Sequence, residues 1–595
     1  MAKKTPPIKY TSRDFDSIKR DLVEYAKRYY PDTYKDFSEA SFGAMMLDMT
    51  AYVGDILSFY LDYQANEGFL QTATEYDNIV KMAKQMGYKF KSTGSSTGII
   101  SLFVTVPATN AGTPDTRYMP ILKKGSVFAS SEGASFVLID DVDFSDSDNE
   151  VVVSTTNEFG NPTFYAVRAH GRVVSGISNT EVKTVGEFQK FRRIKLDSRN
   201  ITEVISVLDT EGHEYYEVEH LSQNVVYLPV KNRATDASKV PELIKPFVVP
   251  RRFTVENTRL ATFLQFGYGS TSELTNDSLV DPAQVVLNIH GREHVTDTSF
   301  DPTKLTTTDK FGVSPTNTTL TISYRVNDSD NVNVAAEALT SVISPILQFE
   351  NQSDLTVANM DIVQSSLECT NEEPIIGDVQ LPDTQELKQR IRNHFFSQNR
   401  AVTRQDYKSL IYNMPSKFGA VERCQILQDK NSFRRNLNLY VVSKNLDNQL
   451  IKSTSSLKDN IRTWLSGYKM MNDTIDILDA RILNLGIEYS IKVENNFSQF
   501  AVLEACNTVL RNLYSRTNEI GEPIYVTDVY KILNSITGVL DVIDVEIVNK
   551  VGTNYSDVFY DIDTNLSSDG RMLYIPKDHI VEFKFPALDI RGAVK

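Results

Sequence analysis

Residues 41–63 read SFGAMMLDMTAYVGDILSFYLDY, and the spacing of apolar and small positions in that run decides how the chain begins. Phe42, Met46, Met49, Val53, Ile56, Tyr60 and Tyr63 alternate steps of four and three, which is the seam of a coiled coil. Ala44, Ala51, Ser58 and Ala65 make a second stripe of small residues, and Asp48, Asp55 and Asp62 recur every seventh position as the one strongly polar stripe. Met45, Leu47, Tyr52, Leu57, Phe59 and Leu61 fill much of the remaining circumference. A helix that is apolar on most sides must be covered on most sides, so the spacing predicts several helices around this one. It leaves open whose helices they are: residues 11–30 and Thr74 to Met86 of the same chain, or those of another subunit.

The flanking segments are helical too. Thr11 or Ser12 is placed to cap a helix carrying Phe15, Ile18, Leu22, Tyr25 and Tyr29 at three- and four-residue steps until Pro31, and Gly87 stops the helix that starts at Thr74. A membrane span over Phe42 to Leu61 is disfavoured, because Asp48 and Asp55 would each cost about 2.5 to 3.5 kcal/mol near a bilayer centre. The start, MAKKTPPIKYTSRDF, has no continuous apolar stretch or small-residue cleavage site, which points to synthesis and assembly in the cytoplasm.

At 595 residues, 41% of them apolar, the chain has material for about four domains at roughly 150 residues each. Its 62 basic against 77 acidic residues give a net charge of −15, a surface that repels a phosphate backbone. Nucleic acid is therefore not an expected partner. Cys369, Cys424 and Cys506 lie far apart and form neither a disulfide framework nor a zinc pair.

After Gly94-Ser95-Ser96-Thr97-Gly98, read as a linker, the period switches to that of strands: Ile100, Leu102, Val104 and Val106 alternate with their neighbours. Short apolar runs follow at Val127 to Phe128, Phe136 to Ile139, Val151 to Val153, Val204 to Leu208, Val225 to Val230, Phe253 to Val255 and Val285 to Ile289. The acidic run from Asp140 to Glu150 reads as a solvated turn, since it lacks the glycine and terminal glutamate of a calcium loop. From about 336 helical signals return, with Leu387, Ile391 and Phe395 on one face, and Thr403-x-x-Asp406 resembling a capping box. Strands at 421–428, 436–443, 485–493 and 539–548 then interleave with helices near 456–466, 499–515 and 528–537. Val402-Thr403 and Val526-Thr527 open similar helices, a hint of duplication.

The resulting expectation is a multidomain α+β protein: a helical bundle segment over 1–95, β-rich domains over 96–245 and 246–335, a helical connector over 336–415, and a C-terminal α/β region over 416–595. The part from about 336 is expected to fold by itself, and residues 1–95 are not.

Catalytic motifs fail on context. Gly94 to Gly98 spells G-x-S-x-G but on a helix-to-strand turn, the reverse of a nucleophile elbow. His290-Gly-Arg-Glu293-His294 matches HxxEH, yet it follows a strand-like run into a turn and marks no third ligand. Phe266-Gly267-Tyr268-Gly269 lacks the third glycine of a dinucleotide fingerprint. No catalytic, metal-binding or cofactor-binding residue is assigned.

Several segments together resemble the wedge protein of contractile phage-tail baseplates, in the baseplate J-like family, as found in T-even-type myoviruses. They are Asp14-Phe15, Tyr30-Pro31-Asp32, Gly43 to Leu47, residues 56–62 and 65–70, residues 121–128, Phe266-Gly267-Tyr268-Gly269, and Ala401-Val402-Thr403-Arg404-Gln405-Asp406-Tyr407, which is similar to the family's AVTxxDY signature. Gly267, Gly269, Ala401, Val402, Thr403, Asp406 and Tyr407 are structural in that family. The chain departs from the pattern at Pro374-Ile375-Ile376-Gly377, where a glycine pair is usual, and is shorter than the longest T-even members. The resemblance implies a non-enzymatic virion protein of the tail baseplate that needs no cofactor. Two copies would join other wedge subunits through the N-terminal helices, self-associate and meet neighbouring wedges through the C-terminal region, and sit near the proteins that initiate sheath and tube. The alternatives are a tail-associated hydrolase with a site around His290 to His294, and a host-binding tail protein.

Overall fold

The computed structural model describes residues 14–32, 38, 41–91, 93–231, 242–270, 311–327, 331–398, 400–429 and 436–595. Val285 to Ile289 and the His290 to His294 motif lie outside them. The chain forms two compact units, Met1–Tyr88 with Pro382–Arg392, and Lys89–Leu381 with Asn393–Lys595.

The first unit is helical. Helix α1 (Phe15–Tyr29) starts at Asp14, whose carboxylate accepts from the Ser17 N–H at 3.3 Å and from its hydroxyl at 2.6 Å. Thus Asp14 caps the helix, in place of the expected Thr11 or Ser12, because it stands next to the first helical residue and its short carboxylate reaches the free N–H groups. Helix α2 (Phe42–Glu67) is capped by Ser41, which accepts from the Ala44 N–H at 3.1 Å. Helix α3 (Tyr76–Gln85) buries Ile79, Val80 and Ala83, and Gly87 ends it at φ +80°, where a side chain would be strained. Leu387 and Ile391 of the helix Thr384–Ser397 are buried, whereas Phe395 on the same stripe is 53% exposed.

The second unit carries the sheets. Strand β1 (Thr97–Pro107) buries Ile100, Leu102, Val104 and Val106, as its alternation requires. The edge strand β2 (Glu150–Thr156) and β1 flank β3 (Pro162–Ser175). The same seven-stranded sheet takes in Val127–Ser130, Ser135–Leu138, Leu339–Ser344 and Glu368–Thr370. A second seven-stranded sheet is built wholly from strands between Ile177 and Val326. The second sheet is therefore an insertion in the first, and boundaries at 245 and 336 cut through both: Ile201–Leu208 pairs with Thr318–Val326, and Leu339–Ser344 pairs with Val127–Ser130. Pairings this distant in sequence leave no periodic trace. A short ribbon of β4 (Val225–Lys231) and β5 (Glu242–Val248) pairs with no other strand among the described residues.

Among the described residues the C-terminal region has two four-stranded sheets and a two-stranded pair, Ile524–Tyr525 with Met572–Leu573. In the second, β6 (Arg481–Val493) lies between β7 (Val539–Asn549) on one edge and the parallel strands His579–Glu582 and Ile590–Val594 on the other, neither of which has a sequence signal. Helices α5 (Gln499–Tyr514) and α6 (Val526–Asn534) cover it with Val502, Cys506, Leu510, Val529 and Leu533. Helix α4 (Arg404–Tyr412) follows the Ala401-Val402-Thr403 run, and here the two proposed repeats differ. Thr403 precedes α4 as its cap, whereas Thr527 lies inside α6, which has no side-chain cap.

The Gly94 to Gly98 segment is a buried crossing where a linker was expected. Ser95 and Ser96 are fully buried, and the Ser96 hydroxyl donates to Asn333 Oδ1 at 2.7 Å. A Cβ at Gly94 or Gly98 would run into Asp378 or Ile375. Gly377, at φ +134°, abuts Ser95 and Gly419, so the departure from the usual glycine pair still supplies one glycine where three backbones meet.

Candidate interaction surface

Helix α2 has two unlike sides. Only Ala44, Ala51 and Glu67 of its 26 residues are buried. Helix α1 lies on the small residues: a Cβ at Gly54 would stand 3.3 Å from Ile18 Cγ2, and Lys19 Nζ meets Asp48 Oδ1 at 2.7 Å. Small side chains let two helices approach closely, and the ion pair satisfies part of the aspartate stripe. The large residues are left outward. Phe42 is 74% exposed, Met49 58% and Tyr60 61%, and Met46, Val53 and Tyr63 are also exposed, with Ile56 half-buried. Met45, Tyr52, Leu57, Phe59, Leu61 and Phe69 widen the exposed band, and Phe59 stacks on Tyr63 at 6.3 Å between ring centroids. Among the described residues, α1 and α3 leave the seam side of α2 exposed. Soluble monomers seldom expose an apolar band of more than a few hundred Å².

The lower end of the surface is held by a group that spacing did not single out. Glu67 is buried, and its carboxylate accepts from the Thr74 N–H at 2.7 Å, the Thr74 hydroxyl at 2.6 Å and Asn78 Nδ2 at 3.0 Å, ahead of α3. These hydrogen bonds, from the Thr74 and Asn78 side chains first, hold its pKa at about 2. Tyr63 donates to Glu75 Oε1 at 3.1 Å, which pushes the phenol's pKa up. The signal that could have found Glu67 is its place shortly before a helix start, where a carboxylate answers free N–H groups.

The motif residues are structural supports elsewhere. Thr403 and Asp406 form a reciprocal capping box, with Asp406 N–H to Thr403 Oγ1 at 3.2 Å and Thr403 N–H to Asp406 Oδ2 at 2.8 Å. Ala401 is fully buried and its N–H donates to the Tyr468 carbonyl at 3.0 Å, while Val402 is exposed. Tyr407 is buried and donates to Asp473 Oδ2 at 2.8 Å, and burial followed by that bond raises its pKa. Gly267 stands against the carbonyls of Phe311 and Gly312 so closely that any Cβ would collide, and the Gly269 N–H donates to the Gly312 carbonyl at 2.9 Å.

One serine, histidine and carboxylate do meet. The Ser101 hydroxyl donates to Glu372 Oε1 at 2.8 Å and lies 3.3 Å from His170 Nδ1. The carboxylate accepts the serine's hydrogen bond directly, and the imidazole is not interposed, so the arrangement lacks the relay of a hydrolase triad. Among the described residues there is no cluster of metal-ligating side chains, and no helix is long and apolar enough to cross a membrane. All three cysteines are free and buried, and burial raises the pKa of Cys369 to about 11.

The exposed seam lies inside a recognisable domain. Residues 14–85 match the family model described as "Bacteriophage baseplate protein, N-terminal domain". The match supports a baseplate protein and spans all three helices α1 to α3. No curated protein matches the chain. Among solved structures, a chain of the anti-feeding prophage baseplate aligns over 96% of this chain and 98% of its own at 8% identity and a TM-score of 0.26. A chain of the type VI secretion TssK-TssF-TssG baseplate subcomplex aligns over 73% and 96% at 8% identity and a TM-score of 0.24. Likeness of that size carries no argument about fold or function.

Proposed function

We propose that the chain is a non-enzymatic structural subunit of a phage tail baseplate wedge. In this reading α2 enters a helical bundle with a second copy and another wedge protein, and the C-terminal region meets neighbouring wedges to close a ring around the tail tube. The observation that carries it is the coincidence of the exposed heptad seam, Phe42 to Tyr63, with the segment that matches a baseplate N-terminal domain. Support for a structural role comes from the motif residues, whose polar atoms are engaged in caps and packing bonds. The test is purification of the tagged chain from phage-producing cells, with stoichiometry by mass spectrometry. The reading expects a complex holding more than one copy and at least one different baseplate subunit. A chain recovered alone from assembled tails would overturn it.

A further inference from the structure

The inserted sheet is joined to the first sheet at two crossings of the chain, Ser175 to Ile177 going out and Val326 to Asn327 coming back. Gly176 stands in the outgoing crossing, and a small residue between two packed sheets is a common sign of a hinge. The packing at this root points the other way. Gly176 lies at φ +100°, and a Cβ on it would stand 2.6 Å from the Val326 carbonyl oxygen, so the glycine serves to let the two crossings touch.

Around that contact lies a closed set of polar groups. Ser95, Ser96 and Ser175 have no exposed surface, and Arg325, Asn327 and Asn333 are buried. The Ser175 hydroxyl accepts from the Ser96 N–H at 3.0 Å and donates to Asn327 Oδ1 at 3.1 Å. Asn327 Nδ2 donates to the Gly94 carbonyl at 2.8 Å, and the Asn327 N–H to the Asn200 carbonyl at 3.2 Å. From the inserted sheet, Arg325 pairs with Glu203 at 3.2 Å and donates to Thr202 Oγ1 at 3.1 Å and to Ser95 Oγ at 3.4 Å. Asn333 Oδ1, which takes the Ser96 hydroxyl, also accepts from the Asp378 N–H at 3.1 Å. Its Nδ2 donates to the carbonyls of Asp378 at 3.0 Å and of Lys444, in strand Asn436–Lys444 of the C-terminal region, at 3.4 Å. Apolar contacts are non-directional and let elements slide, whereas a buried polar group keeps its bonds in few geometries. Turning the inserted sheet about this root would leave several buried donors and acceptors unpaired at once.

We propose that this node is a lock: it holds the inserted sheet and the first sheet as one rigid body, so that force on the insert passes into the first sheet and the C-terminal region instead of being lost as rotation at the root. The insert swings only when the node opens. The inference does not rest on the reading of α2, none of whose residues takes part.

The test is double electron–electron resonance on the full chain with spin labels at Val182→Cys in the inserted sheet and Val152→Cys on β2, both exposed positions, the three native cysteines being buried. The labelled chain gives one narrow distance distribution. Adding Ser175→Ala with Asn327→Ala, which takes away the partners of the Ser96 N–H and the Gly94 carbonyl, broadens it with unchanged circular dichroism. Hydrogen exchange of the unaltered chain gives a reading that needs no variant. The Ser96, Ser175 and Asn327 amides exchange as slowly as the paired amides of β1 and of Thr318–Val326. In the double variant they speed up by about tenfold or more. A broad distribution without the alanine changes, root amides that exchange faster than both sheets, or a folded double variant whose distance stays narrow overturns the proposal.

Discussion

Helix α2 and strand β6 are both written in apolar residues, and they end in opposite surroundings. In β6, Leu483, Leu485, Ile487 and Ile491 have no exposed surface, because strands pair along both edges and α5 and α6 lie over the sheet. In α2 the equivalent large residues face outward, because among the described residues α1 meets it over alanine and glycine and the start of α3 meets it only at its C-terminal end. Apolar sequence states that a segment seeks cover. Connectivity decides whether the chain itself supplies it.

Breaking that contrast gives the largest expected effect. Ile487→Asp puts an unpaired charge into a closed core and should cost several kcal/mol, enough to abolish cooperative unfolding of the isolated chain. Val53→Asp, at a site 54% exposed, should leave the isolated chain's unfolding midpoint within about 0.5 kcal/mol of wild type. It should nevertheless remove the subunit from coexpressed complexes on size-exclusion chromatography. A large loss of stability at Val53 would place that residue in an intramolecular core.

The side of α2 that is covered sharpens the comparison. Ala51 has no exposed surface on the small stripe, so Ala51→Leu should overpack the α1 contact at about 1–3 kcal/mol. The expected readout is faster limited proteolysis within α1, with the C-terminal region still protected.

How much of this was legible follows the same division. The Ser41 start of α2, the seam, the stop at Gly87 and the box at Thr403 and Asp406 are local patterns, and the residues announce them. Nested sheets are not local. Nothing near Leu339 marks its pairing with Ser130, and nothing near Ile590 marks a parallel strand beside Ile487. The fragment from 336 onward therefore loses strands Leu339–Ser344 and Glu368–Thr370 from their partners, and a cut near residue 400 is the better test of a self-folding C-terminal region. The small-residue stripe was visible as a pattern, but its use as the seat of α1 needed Ile18 in place. Glu67 was missed because a buried carboxylate at a helix junction has no periodicity.

Smaller effects test the motif. Thr403→Ala removes one half of the capping box and should cost about 1 kcal/mol, and Tyr407→Phe, which strips the bond to Asp473, should cost a similar amount, both by denaturant unfolding. Neither should alter assembly if the motif only supports the fold.

The smallest is a pH effect. Glu67 is held at about 2 in the folded chain against an ordinary value of 4.5, so its contribution is complete above about 4.5 and is lost as pH falls through about 2. Glu67→Gln should flatten that part of the acid unfolding profile of the N-terminal helices, and an unchanged profile would show that the junction does not depend on the carboxylate.

Hydrogen exchange on the amides of residues 42–67, in the free chain and in assembled tails, puts the central claim to the most direct test. The account predicts fast exchange in the free chain relative to 483–491, and strong protection of 42–67 only after assembly. Equal protection of 42–67 in both states would contradict it.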